Sequence, residues 1–278
     1  MTNFKNQIAV KSKKLWQYFT TYEKIWLLVF SVVAIISSIL IPEETTNGIS
    51  GTFITIICLI NVIFGLFVEL LASKQSKWSF FLYIFVEIIE IAICIMLAYR
   101  FSSMIVSIFF WFPMHIVSYI VWKKHEDKKD KEKTVVRSMN IKHAGLLFLG
   151  VLGWTLCLGS IFAFFGPDSE IFSTEIQQVA VAYIDACISA LSIANGILLF
   201  FRFKESWLVW LIASILYIIV AIITNTWILL VLYIGYLINT IYGSFCWKKY
   251  LDKKDNNKEL QPQEPQPSQD QLSAQDQA

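Results

Sequence analysis

Apolar residues in this chain gather into eight long runs separated by short polar or charged stretches: residues 25–41, 51–71, 78–98, 102–122, 144–165, 179–201, 206–224 and 227–247. None shows the one-sided polar stripe of a half-buried soluble helix, or the strict alternation of a half-buried strand. Each is close to the ~20 residues that carry a helix across a bilayer core. Only helices and closed barrels satisfy their own backbone polar groups in lipid, and these runs are too long and too uniformly apolar for barrel strands. The pattern predicts an all-α, polytopic membrane protein with eight transmembrane helices. Pro42 should end the first, Pro113 should kink the fourth and free a carbonyl, and Asn225-Thr226 should turn the seventh into the eighth.

The gaps between runs set the orientation. With the N-terminus in the cytoplasm, Lys and Arg fall inside in the N-terminal segment, the 74–77 link, the 123–143 loop, the 202–204 hinge and the C-terminal tail. Of 23 basic residues only Arg100 falls outside. The outer loops carry Glu43, Glu44, Asp168, Glu170 and Glu175. This is the positive-inside pattern, with both termini cytoplasmic and the plasma membrane as the expected location. Residues 1–24, basic with Trp16, Tyr18, Phe19 and Tyr22, are expected to lie amphipathically at the interface. Residues 123–143 are expected as a charged, solvated cytoplasmic loop, with a headgroup contact for its lysines as the second reading. The tail, 250–278, is rich in Gln and Pro and is expected to be disordered. No cleavable signal peptide is expected.

Composition agrees: 56% hydrophobic, 15% aromatic and 16% charged residues, with a mean hydropathy of +0.58, exclude an ordinary soluble domain. The net charge of +2 adds little. Cys58, Cys94, Cys157, Cys187 and Cys246 lie in apolar runs without CxxC or metal spacing, and are expected as free thiols. There is no HExxH, no GxSxG and no nucleotide-binding loop. An enzyme, a cofactor, an ATP-driven pump and a nucleic-acid partner are not expected; the expected partners are a small molecule and the lipid bilayer.

The fourth and eighth runs end alike, in YIVWKK at Tyr119–Lys124 and SFCWKK at Ser244–Lys249. The third and seventh start alike, with Lys77-Trp78 and Ser206-Trp207. Runs two to four (51–122) thus resemble runs six to eight (176–249), entering the membrane in the same direction. A parallel repeat of this kind is a transporter plan, with the site between the repeats near the midplane. The fifth run, 144–165, becomes a linker, and the first, 25–41, an extra N-terminal helix.

Polar groups inside the runs are the candidate chemistry. Glu87 sits near the middle of the third run, with Glu90 one turn later on the same face. A charge at that depth costs at least ~2.5 kcal/mol. With no Lys or Arg inside any run, its partner is His115 or a cationic ligand, or else it is protonated. Trp111, His115 and Tyr119 form one stripe on the fourth run; Asn239, Tyr242 and Gly243 share a face of the eighth. Asp185 and Asn195 lie in the sixth, Trp210 and Ser214 in the seventh. Aromatic plates with amide, hydroxyl and carboxylate groups would suit a vitamin-sized ligand. The plainer readings are helix–helix hydrogen bonds for Asn61, Asn195 and Ser214, packing for Trp111, Tyr119 and Tyr242, and snorkelling for Glu69. Trp247 is assigned to the interface.

Asp185, then LSIA at Leu191–Ala194, Arg202-x-x-Glu205-x-Trp207-x-x-Trp210 and Asn239-x-x-Tyr242-Gly243 with Trp247 resemble the PnuC family of vitamin transporters. Phe112-Pro113-Met114 and Trp122 resemble its Gram-positive members. The resemblance covers about residues 20–250. It implies a SWEET-like pair of three-helix bundles that carries nicotinamide riboside by facilitated diffusion, with a separate cytoplasmic kinase trapping the product. The candidate substrate-binding residues, from the polar and aromatic groups at depth and from these motifs together, are Glu87, Trp111, His115, Tyr119, Asp185, Trp210, Ser214, Asn239 and Tyr242. The chain departs from the family at Glu87 and Ser214, where Asn is usual, and at His115, where Gln or Asn is usual. Relatives carrying thiamine or riboflavin are the first alternative. A membrane receptor or assembly subunit that binds without translocating is the second, and homo-oligomerisation is left open.

Overall fold

The computed structural model describes residues 17–127, 134–139, 142–166 and 170–259. Eight helices long and apolar enough to cross a membrane lie within them. They are α1 (Thr21–Leu40), α2 (Gly51–Ser73), α3 (Trp78–Leu97), α4 (Phe101–Lys124), α5 (Lys142–Phe165), α6 (Glu175–Phe200), α7 (Ser206–Ile223) and α8 (Trp227–Glu259). The described residues hold isolated β-bridges but no β-strand. Hydrophobicity alone placed these spans, and the differences at their ends have local causes. Helix α1 starts earlier than the apolar run because Thr20 caps it, with Glu23 completing a capping box. Helix α6 likewise starts on Thr174, whose side chain accepts from Gln177 N–H. Helix α8 continues to Glu259, into the segment expected to be disordered. Most of the basic N-terminal segment, part of the 123–143 loop, Asp168 and the end of the tail lie outside the described residues.

The kink expected at Pro113 is absorbed ahead of it, where Ser107–Trp111 is π-helical. Widening the helix by a residue makes room for a ring that can neither donate a hydrogen bond nor tolerate a close carbonyl.

Helix contacts run α2–α3–α4–α6–α7–α8 and back to α2. Six helices therefore close a ring. Its two central members, α3 and α7, face each other without contact. The remaining two pack on its outside: α1 covers the α8/α2 seam, and α5 covers α6 and the start of α4. The extra helix and the linker thus occupy corresponding places.

Turn geometry repeats along with the helices. The α2–α3 turn has Gln75 at φ 61° and the α6–α7 turn has Arg202 at φ 63°. One is closed by Ser76 N–H to Leu71 O at 3.0 Å, the other by Phe203 N–H to Leu198 O at 2.8 Å. The α3–α4 and α7–α8 turns have Ala98 at φ 48° and Asn225 at φ 54°, closed by Tyr99 N–H to Cys94 O and Thr226 N–H to Ala221 O. Left-handed caps with this bond end a helix abruptly, so the next can fold back beside it.

At the basic end of the ring, Trp122 Nε1 on α4 donates to Leu199 O on α6 at 3.0 Å, and Trp247 Nε1 on α8 donates to Ser73 O on α2 at 3.2 Å. The two indoles meet at 5.9 Å. Phe80 lies edge-on to Trp122, and Trp207 edge-on to Trp247. This aromatic plug corrects two expectations. Trp247, assigned to the interface, is instead fully buried by protein at the basic end of the ring. The partner of Trp207 in the repeat is Phe80 and not Trp78, which is 54% exposed and packs on Tyr119. Gly243 is required here, because a Cβ would come within 2.5 Å of the Trp207 ring.

Candidate functional site

A cavity lies inside the ring, and all six ring helices line it. Its walls include Glu69 from α2, Tyr83, Glu87 and Glu90 from α3, Trp111 and His115 from α4, Asn195 from α6, Trp207 and Trp210 from α7, and Tyr233 and Tyr236 from α8. Its free volume is about 90 Å³. Typical ligand pockets are roughly 300–1,000 Å³, so this one is small.

Three carboxylates face the cavity, each held differently. Glu69 is buried; Trp210 Nε1 donates to its Oε1 at 2.9 Å and Tyr83 Oη to its Oε2. Asn239 Nδ2 donates to its backbone carbonyl at 3.1 Å. This corrects the expectation that Glu69 snorkels: phenol, indole and amide donors replace water where the chain is too deep to reach it. Glu87 lies 3.5 Å from His115 Nε2, an ion-pair distance when the imidazole is protonated. His115 is itself stacked on Tyr83 at 5.3 Å and on Trp111 at 5.0 Å. Glu90 accepts from Asn61 Nδ2 at 2.9 Å and pairs with Arg100.

Glu87 has beside it His115, one of the partners expected for it, while Arg100, from outside the apolar runs, brings a basic group to Glu90. Arg100 sits in the α3–α4 turn in a left-handed conformation, φ 57°, and its side chain dives back into the ring. It is 3% exposed. Nη1 pairs with Glu90 and donates to Tyr233 Oη at 2.9 Å; Nε lies 3.7 Å from Asp185 Oδ1. The guanidinium also lies over the Tyr217 ring at 4.8 Å. One residue thereby joins α3 to α6, α7 and α8 at the end opposite the tryptophan plug. Buried charges persist when paired and hydrogen-bonded; here Nη1 is hydrogen-bonded and Nε faces Asp185, while Nη2 is left without a hydrogen bond.

Of the nominated residues, Glu87, Trp111, His115 and Trp210 line the cavity. The others are placed elsewhere. Asp185 stands behind the wall, accepting from Ser103 N–H and Oγ–H and facing Arg100. Ser214 donates to Trp210 O at 2.8 Å, and Asn239 holds the Glu69 backbone. Tyr119 packs on Trp78. Tyr242 is furthest from its expected role: its hydroxyl donates to Glu23, which also pairs with Lys74 at 3.0 Å, at the basic end. Glu69, Glu90, Arg100, Tyr83, Tyr233 and Tyr236 line the cavity without having been nominated. The spacing of Glu87 and Glu90 signalled the second carboxylate, but Arg100 lies outside the apolar runs and carried no such signal.

The arrangement combines aromatic faces with an excess of carboxylates over fixed cations. Its polar atoms without a hydrogen-bond partner among the described residues include Arg100 Nε and Nη2 at one end, Ser206 Oγ and Trp207 Nε1 at the other, and both ring nitrogens of His115. It suits a planar, cationic ring bearing oxygen acceptors.

A family model described as nicotinamide mononucleotide transporter matches residues 55–249, a stretch that takes in nearly all of the six-helix ring and its cavity. The nicotinamide riboside transporter PnuC of Neisseria mucosa is 22% identical over 267 residues, covering 88% of each chain. The PnuC of the same description from Haemophilus influenzae is 21% identical over 241 residues, covering 84% of this chain and 92% of its own. A crystal structure of the vitamin B3 transporter PnuC superposes with a TM-score of 0.66 at 17% identity, over 84% of this chain and 94% of the other, a likeness of fold. The resemblance drawn from the Asp185, Trp207-x-x-Trp210 and Asn239-x-x-Tyr242 motifs is thus borne out, and the chain belongs to the nicotinamide mononucleotide transporter family, that of the PnuC transporters.

Proposed function

We propose that the chain carries nicotinamide riboside across the plasma membrane by facilitated diffusion, with both termini in the cytoplasm and a separate cytoplasmic kinase trapping the product. The observation that carries this reading is the cavity, in which Glu69, Glu87 and Glu90 face Arg100 and His115 between aromatic planes. The relatives are described by two ligands, the riboside and the mononucleotide. Their chemistry separates them. The riboside is a net cation, while the mononucleotide adds a phosphate that would meet three carboxylates in a space of low dielectric. Carboxylate excess favours the riboside. It equally tolerates thiamine, another ring cation, and disfavours neutral riboflavin.

Uptake of labelled nicotinamide riboside into proteoliposomes tests the reading. Substrate should equilibrate without accumulating, and unlabelled riboside on the far side should drive counterflow. Accumulation that a protonophore abolishes would replace facilitated diffusion with coupled transport. Binding without flux would replace the carrier with a receptor.

A further inference from the structure

A second concavity lies outside the ring, along the seam between α5 and α6, with a volume of about 900 Å³. Its floor and walls are apolar, among them Leu146, Gly150, Trp154, Ile193 and Ile197. Gly150 leaves room rather than close contact, since a Cβ there would meet nothing within 4 Å. Small residues that let membrane helices approach normally have a neighbour against them. Here Gly150 opens onto a trough. Trp154 keeps it open, its Nε1 tethered to Ser189 Oγ at 2.9 Å.

One end of the trough is polar and basic. Arg137 lines it and is exposed, with its backbone bridged to Arg202 and Lys204 and its Nε donating to Phe201 O at 3.0 Å. The guanidinium lies over the Phe203 ring at 5.1 Å, and no carboxylate pairs with it among the described residues. Arg202 is buried beside it with Nε unpartnered. Burial and the neighbouring Arg137 both pull the Arg202 guanidinium below its ordinary range. The carboxylate within reach, Glu205, is engaged by Ser138 Oγ–H and Met139 N–H.

We propose that this trough is a binding site for one anionic phospholipid, whose phosphate sits on Arg137 beside Arg202 and whose acyl chain lies along the face of α5 that carries Leu146, Gly150 and Trp154. Arg137 and Arg202, bridged through their backbones and paired with no carboxylate among the described residues, suit a phosphate, which arginine binds through paired N–H donors. Anionic headgroups are concentrated on the side of the membrane where basic loops gather. The site is separate from the ring cavity, so it does not depend on which vitamin is carried.

The test uses the purified full-length protein, delipidated in detergent and titrated with phosphatidylglycerol or phosphatidylcholine under native mass spectrometry. One phosphatidylglycerol per chain should bind at least tenfold more tightly than phosphatidylcholine. Arg137→Gln should erase the preference, Arg137→Lys should keep most of it, and Gly150→Leu should block both lipids by filling the trough. Melting temperatures near wild type show that each variant is folded, and the lysine variant separates lost charge from a lost cap on α6. Equal binding of the two lipids by wild type, a preference that survives Arg137→Gln, or a second copy of the chain cross-linked into the trough would each overturn the proposal.

Discussion

Glu69 on α2 accepts a hydrogen bond from Trp210 on α7 at 2.9 Å, joining two helices whose backbones are not in contact. The same carboxylate accepts from Tyr83 on α3. Tyr83 and Trp210 occupy matching places in the two halves, each one turn beyond its plug residue, Phe80 or Trp207, so one acidic residue holds the two central helices at a set distance across the cavity. Glu69→Leu should leave two partly buried donors unsatisfied, at up to about 1–3 kcal/mol each, and lower the melting temperature accordingly. Trp210→Ala should weaken substrate binding far more than Trp78→Ala, whose ring is exposed. Equal losses in a binding isotherm would remove Trp210 from the site.

Glu87 faces the cavity with His115 at ion-pair distance and no guanidinium of its own. If it reads the charge of the ligand ring, Glu87→Gln should weaken nicotinamide riboside by about tenfold, near 1.4 kcal/mol. The reduced riboside, whose dihydropyridine ring is neutral, should bind the variant and the wild type alike. Calorimetry with both ligands checks this, and an equal loss for the two would make Glu87 a packing residue.

Arg100 holds Glu90 and Asp185 together. Removing it alone strands the buried Asp185 and the partly buried Glu90, so Arg100→Met should cost about 3–5 kcal/mol in thermal stability. Adding Glu90→Gln and Asp185→Asn should recover much of that loss, since the uncompensated charges are then gone. A triple variant no more stable than Arg100→Met would contradict this account.

Glu43 lies in the α1–α2 loop, where burial pushes its carboxyl up to about 7; the Ile228 backbone N–H pulls the other way and Glu44 adds to the rise. Below the ordinary value of 4.5, folded and unfolded chains both hold the proton. Between 4.5 and about 7 the unfolded chain releases it first, so stability should fall as pH rises through this window and level off above it. Glu43→Gln should flatten that part of the pH profile of melting temperature.

The spans were legible because lipid imposes one requirement on every turn of a crossing helix, and long apolar runs meet it visibly. The cavity was legible in part. Glu87, Trp111, His115 and Trp210 stand out as polar or aromatic groups at depth, and all four line it. Asn239, Ser214 and Asp185 have the same appearance in sequence yet support the wall from behind, because depth in a span says nothing about the side of the helix a residue occupies. Tyr242 misled for the opposite reason: its motif is right, but its hydroxyl is taken by Glu23 from a helix the repeat did not include.

Sequence by itself determined the eight crossings, their charge asymmetry, the matching Trp-Lys-Lys ends and the family, since each depends on residue type and order along one chain. Tertiary structure alone decided which polar groups meet. Arg100 looked like a loop residue outside the bilayer, and only a left-handed turn that aims it into the ring brings it to Glu90 and Asp185. Glu69 looked able to snorkel, and only the convergence of α3 and α7 supplies the donors that keep it buried. Pairing energies of buried charges depend on distance and direction in space, and neither is written in the order of residues.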